Sequence, residues 1–156
     1  MTELRVGLGV DAHAFAEGVA LVLGGVRFEH PRGLAGHSDG DVITHALIDA
    51  LLGAAGIGDI GTLFPSDEST PAGIDSLDLL RDAVTRVREA GYELVNADCV
   101  LIGEQPHISG RRAEMESQLS EIAGGPVSVR ATTTDELGFT GRNEGLAAQA
   151  VALLSR

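Results

Sequence analysis

The sequence predicts an α+β fold, an α/β sandwich in which helices pack on one face of a mixed β-sheet. Three observations carry that reading. Strand-like runs and helical-period runs interleave along the chain, Gly- and Pro-rich turns separate them, and the connections mix hairpins with crossovers. With 156 residues and 44% hydrophobic content, the chain can bury one core without disulfide staples, so a single domain over 1–156 is expected.

The elements follow in order. Leu4 to Val10 reads as a strand, and its period of two sends Asp11 and His13 to the same side at the strand end. Val19 to Glu29 reads as a second strand interrupted by Gly24-Gly25, and Pro31-Arg32-Gly33 as the turn after it. From Asp39 to Leu52, Val42, Ile43, Ala46, Leu47, Ala50 and Leu51 recur at helical spacing, with Ser38 or Asp39 as N-cap. Asp41, His45 and Asp49 then form a polar ridge beside the apolar face. Residues 57–74 have no periodicity and predict a long loop. Ser76 to Ala90 is an amphipathic helix stopped at Gly91, Leu94 to Ile102 a strand, Ser109 to Ala123 a helix, and Val127 to Thr133 a strand. Gly141 to Leu154, rich in Ala and Leu, predicts a closing helix.

A net charge of -12 opposes non-specific attachment to nucleic acid or anionic membrane. No apolar run reaches the length of a membrane span and no signal segment opens the chain, so a cytoplasmic protein is expected. Cys99 is the single cysteine and sits in an apolar run, where it reads as a small buried hydrophobe.

The chemistry concentrates in a few segments. Asp11-Ala12-His13, then His37-Ser38-Asp39-Gly40-Asp41 and His45, supply the imidazole and carboxylate mixture that suits a zinc-like ion with an open position for substrate. On the predicted helix His45 can point across at Asp11 and His13. The same residues are compatible with a plainer role, the aspartates capping turns and the histidines hydrogen-bonded. Gly103-Glu104-Gln105-Pro106-His107-Ile108, Ala131-Thr132-Thr133-Thr134-Asp135 and Phe139-Thr140-Gly141-Arg142 lie at strand ends or helix starts, whose free N–H groups favour anions. Together they describe a diphosphate site, with Asp135 suited to a hard cation. Singly, the threonines are ordinary strand residues and Arg142 has Glu144 as a near partner.

With Gly58-Asp59-Ile60-Gly61 and Phe64-Pro65 added, these motifs resemble the 2-C-methyl-D-erythritol 2,4-cyclodiphosphate synthase family along the whole chain. The resemblance implies a homotrimer with sites between neighbouring chains and Zn2+ on Asp11, His13 and His45. It implies a second divalent cation, Mg2+ or Mn2+, at Asp135. It implies release of CMP from 4-diphosphocytidyl-2-C-methyl-D-erythritol 2-phosphate by intramolecular phosphoryl transfer, a phosphorus-oxygen lyase reaction of the non-mevalonate isoprenoid route. His37 and Thr133 would stabilise the transition state. The residues that would contact substrate are Asp11, Ala12, His13, His37 and Ser38, then Asp59, Ile60, Gly61 and Phe64. Gly103, Pro106, His107, Ile108, Thr132, Thr133, Thr134 and Asp135 would hold the cytidine and its phosphates, with Phe139 and Arg142 nearer the trimer axis. His107 stands where many relatives have lysine, Asp135 where many have glutamate, Glu136 where lysine is common, and Ser66 where aspartate often occurs. A phosphate-ester hydrolase using metal-activated water, and a non-catalytic binding module for isoprenoid diphosphates or nucleotides, are the competing classes. A cyclic product released with CMP separates the synthase from both.

Overall fold

The computed structural model describes all residues, 1–156. Strand β1 (Leu4–Glu17) is followed by the short strands β2 (Leu21–Leu23), β3 (Val26–Phe28) and β4 (Arg32–Leu34). Helices α1 (Val42–Ala55), α2 (Ile60–Leu63) and α3 (Ser76–Glu89) come next, then β5 (Glu93–Ile102), α4 (Arg112–Ala123) and β6 (Val127–Thr132). The single-turn helix α5 (Gly138–Gly141) and strand β7 (Gly145–Ser155) close the chain. The main sheet has the order β4-β1-β7-β5-β6, with β5 and β6 parallel and the other pairs antiparallel, and β2-β3 forms a separate hairpin. This is the mixed sheet with helices on one face that the sequence predicts.

The helical face of the sheet is built from small residues. Gly7 and Gly9 of β1 and Ala148, Ala150 and Ala152 of β7 are buried beneath α1. A Cβ placed on Gly9 would lie 1.8 Å from the Ala46 carbonyl oxygen, and one on Gly7 2.0 Å from that of Ala50. Helix α1 therefore lies directly on strand backbone, and nearly every one of its residues is buried between the sheet and α3. The opposite sheet face carries no helix. Leu4, Val6, Leu8 and Val10 of β1, with Val95 and Val151, point out from it and are 41 to 70% exposed.

Several elements differ from the sequence reading. The expected closing helix over Gly141 to Leu154 is strand β7, in which Leu146, Ala148, Ala150, Ala152 and Leu154 are all buried at a spacing of two. Its place between β1 and β5 supplies two ladders of hydrogen bonds, and this tertiary pairing overrides the helix preference of alanine. Phe139 to Arg142 consequently does not open a long helix. Strand β1 continues to Glu17, so Asp11 and His13 lie inside a strand paired with β7 and not at its end. Val19 to Glu29 is a hairpin of two short strands, turned by Gly24 and Gly25 with φ of 57° and 76°. Arg32 and Gly33, expected with Pro31 as a turn, belong to the edge strand β4 on β1. Helix α4 starts at Arg112 rather than Ser109, and the long loop contains α2.

The chain ends meet. Glu3 and Arg156 exchange backbone hydrogen bonds of 2.9 Å each, and the Arg156 guanidinium donates to the Glu3 carboxylate at 2.7 Å while lying 4.6 Å from the Tyr92 ring centre.

Candidate metal centre and its pocket

The site begins with a helix cap. Asp41, not Ser38 or Asp39, caps α1, and its fully buried carboxylate accepts from Thr44 N, Thr44 Oγ1, Gly24 N and Gly25 N. Burial pushes this carboxyl up from the ordinary range, and the hydrogen bonds from Thr44 and Gly25 oppose the push. One side chain thus fixes the start of α1 to the hairpin turn. Of the expected polar ridge, Asp41 and His45 are buried, and half-buried Asp49 accepts from Ile60 N at 2.7 Å.

One turn into α1, His45 faces β1. Its Nδ1 is 3.0 Å from Asp11 Oδ2 and 3.2 Å from His13 Nε2, and His13 Nε2 is 2.8 Å from the same Asp11 oxygen. Asp11 and His13 reach this point because alternate residues of β1 share a face. The outer nitrogens settle which atoms are free. His13 Nδ1 is 2.8 Å from the Ala35 carbonyl, which only accepts, so Nδ1 carries the proton and Nε2 keeps its lone pair. Ser76 Oγ donates to Asp39, so it accepts from His45 Nε2–H at 2.8 Å and leaves His45 Nδ1 bare. Three electron-pair donors therefore converge, all within 4.8 Å of one another. Without a metal, a proton taken up on either inner nitrogen turns that imidazole into a donor to Asp11: burial raises the Asp11 carboxyl, but these hydrogen bonds from His13 and His45 outweigh it and hold the group at about 2. The bond to Asp11 raises the His13 imidazole above its ordinary value. An anionic oxygen and two oriented imidazoles, each braced by an outer partner, suit a divalent metal ion.

A cavity of about 150 Å³ opens on this trio and is lined also by His37, Ser38, Ile60, Gly61, Phe64, Ser66, Thr70 and Leu79. His37 Nε2 donates to the Thr70 carbonyl at 2.5 Å, which ties the His37 turn to the following loop. Ser38 Oγ lies 3.0 Å from His45 Nε2. Asp59 is exposed and caps α2 through Thr62 N at 2.7 Å, outside the cavity lining. Ala12 points to the other sheet face. Ser76 and Ala35, which brace the histidines, carried no sequence signal for that role, and Asp39, expected as a candidate cap, accepts from Ser76 instead.

Six of the remaining predicted residues form a second, separate group. Gly103, Pro106, His107, Ile108, Thr132 and Thr133 line a cavity of about 220 Å³ together with Glu104, Ser109, Ala131 and Arg112. Thr134 sits beside it, its hydroxyl 2.9 Å from that of Thr140 and donating to Leu137 O. Asp135 belongs to no cluster of three metal-ligating side chains; its carboxylate accepts from Thr133 Oγ1 at 3.3 Å. Phe139 is 44% exposed, and Arg142 pairs with Glu144 at 2.5 Å. Within one chain the structure does not bring His37 and Thr133 into one cavity.

Known proteins resemble this chain over nearly its whole length. The relative in Alkalilimnicola ehrlichii, named 2-C-methyl-D-erythritol 2,4-cyclodiphosphate synthase, is 52% identical over 98% of this chain and 96% of its own. One of the same name in Rubrobacter xylanophilus is 55% identical over 97% and 95%. Among solved structures, the bifunctional IspDF from Campylobacter jejuni superposes with a TM-score of 0.94 at 40% identity over 99% of this chain, which spans only 43% of that longer one. IspF of Plasmodium falciparum, solved as a CDP complex, gives a TM-score of 0.83 at 33% identity over 97% of this chain and 95% of that one. The YgbB family model matches residues 4–155, from the first strand through the metal trio and the second cavity to the last residue of β7, and the chain belongs to the YgbB family.

Proposed function

We propose that this chain is a 2-C-methyl-D-erythritol 2,4-cyclodiphosphate synthase, working as a cytoplasmic homotrimer of single-domain subunits. The observation that carries the reading is the pairing of a convergent Asp11/His13/His45 donor set with a separate cavity walled by Thr132, Thr133 and His107. Each is half of a site for a substrate with a phosphorylated sugar at one end and a nucleotide at the other. The exposed apolar sheet face of Leu4, Val6, Leu8, Val10, Val95 and Val151 supports assembly, because a surface of this kind is normally covered. Assembly is what would set one chain's metal half against a neighbour's nucleotide half. No helix is long and apolar enough to cross a membrane, which agrees with the cytoplasmic assignment.

Zn2+ held by Asp11, His13 and His45, and Mg2+ or Mn2+ at Asp135, would polarise the diphosphate and neutralise its charge. The chain's own residues do the positioning. Ser38 and the Asp59 to Gly61 turn hold the erythritol phosphate, while Phe64 and Leu79 exclude water from the cavity. Gly103, Pro106, His107 and Ile108, with Thr132, Thr134 and Asp135, hold the cytidine and its phosphates. His37 and the Thr133 hydroxyl donate to phosphate oxygens as charge builds, Phe139 and Arg142 lie nearer the axis, and CMP leaves as the 2-phosphate closes the ring. No side-chain nucleophile is required. The test is incubation of metal-loaded protein with 4-diphosphocytidyl-2-C-methyl-D-erythritol 2-phosphate. Stoichiometric CMP and a cyclic diphosphate support the reading; a linear product or no turnover sinks it.

A further inference from the structure

The turn after β6 is held in a conformation that its residues do not favour. Asp135 and Glu136 are consecutive non-glycine residues with φ of 51° and 67°, in the left-handed region where a side chain crowds its own backbone. Such a pair persists only where neighbours over-determine it. One neighbour is local: a Cβ on Gly141 would stand 2.2 Å from the Glu136 carbonyl carbon, so α5 presses directly on the turn. The other comes from a different loop. Half-buried Glu104, 32 residues away, accepts the Glu136 amide through Oε1 at 3.0 Å. At the base of the same two loops Gly103 N donates to Thr132 O at 3.0 Å. The walls of the second cavity are thus joined by a backbone tie at the root and a side-chain tie at the tip, with Thr132, Thr133 and His107 between them.

We propose that Glu104 is a positioning residue: by holding the Glu136 amide it fixes the spacing of the two loops that grip the nucleotide, and with it the aim of Thr133. This rests on the functional reading above for the identity of the ligand, but the tie itself does not. Removing the acceptor frees the turn to leave its left-handed pair and opens the cavity at its tip. The metal trio, in the other cavity, is untouched.

The test compares Glu104→Ala with Glu104→Gln in the metal-loaded, assembled protein. The alanine variant should bind CMP about tenfold more weakly by calorimetry and raise KM for the cytidylyl substrate similarly, the scale of one lost hydrogen bond. Its Glu136 amide should exchange with deuterium at least about tenfold faster, while zinc content and Tm stay at wild-type values. Glutamine keeps an oxygen of the same reach and should restore both CMP affinity and exchange protection. Unchanged exchange at Glu136, unchanged CMP affinity in the alanine variant, or a glutamine variant as impaired as alanine each overturns the proposal. A wild-type protein that binds no CMP overturns the functional reading instead, and the Glu136 exchange rate still decides whether the tie exists.

Discussion

At the scale of single residues, Asp11, His13 and His45 converge on one point, and an outer partner braces each imidazole. Ligand chemistry restricts a divalent site to a few residue types, and Asp-x-His on a strand fixes their side, so Asp11, His13 and His45 stand out. Ser76 lies 31 positions from His45 and Ala35 22 from His13; a hydroxyl and a carbonyl at such distances form no pattern. The Asp11 carboxyl gives a prediction about the metal-free chain. Its folded value of about 2 is below the ordinary 3.8, so the folded state holds the anion more strongly than the unfolded one does. That stability is complete above 3.8 and is lost as pH falls from there to about 2. Urea unfolding of chelator-treated protein should weaken over this window, and Asp11→Asn should remove that part of the pH dependence. Thr133→Val should fold normally, since the residue is exposed at a strand end and valine suits the backbone, yet lower kcat by roughly ten- to a thousandfold. Wild-type turnover would return Thr133 to a purely structural role.

At the scale of elements, strand β7 is where sequence reasoning failed. Its Ala-rich composition signals a helix, while the burial of every second residue from Leu146 to Leu154 shows a central strand. Alanines are there because α1 needs a shallow floor, a requirement set by another element and invisible in the local sequence. The paired glycines of β1 answer the same need. Gly9→Ala should cost about 1–3 kcal/mol or more, since its Cβ meets backbone oxygen that cannot swing aside. Lifting α1 also carries His45 away from Asp11 and His13. Denaturant titration and zinc titration should therefore worsen together. A loss of stability with zinc affinity intact would show that α1 is not what aims His45.

At the scale of the whole molecule, the metal trio and Thr133 lie in two separate cavities of one chain. If neighbouring chains complete it, one inactive variant damaged at His45 and another damaged at Thr133 should rescue each other when dissociated and reassembled. With lesions on opposite sides of each interface, random assortment of a one-to-one mixture leaves roughly a quarter of the sites whole. Hybrid trimers verified by native mass that stay inactive would place both groups on the same side, or remove the shared site.

The backbone pairing of Glu3 with Arg156 has a topological meaning as well. A chain whose third and last residues pair beside two adjacent strands of one sheet is nearly a closed loop, and the place where it is cut matters little to the core. Joining the two ends through a short glycine linker and opening the loop at Gly18, an exposed turn with nothing within 4 Å of an added Cβ, should give a permuted protein with the same zinc affinity and assembly size. The order in which the strands are synthesised would then be free to change, while the order in which they lie in the sheet would not.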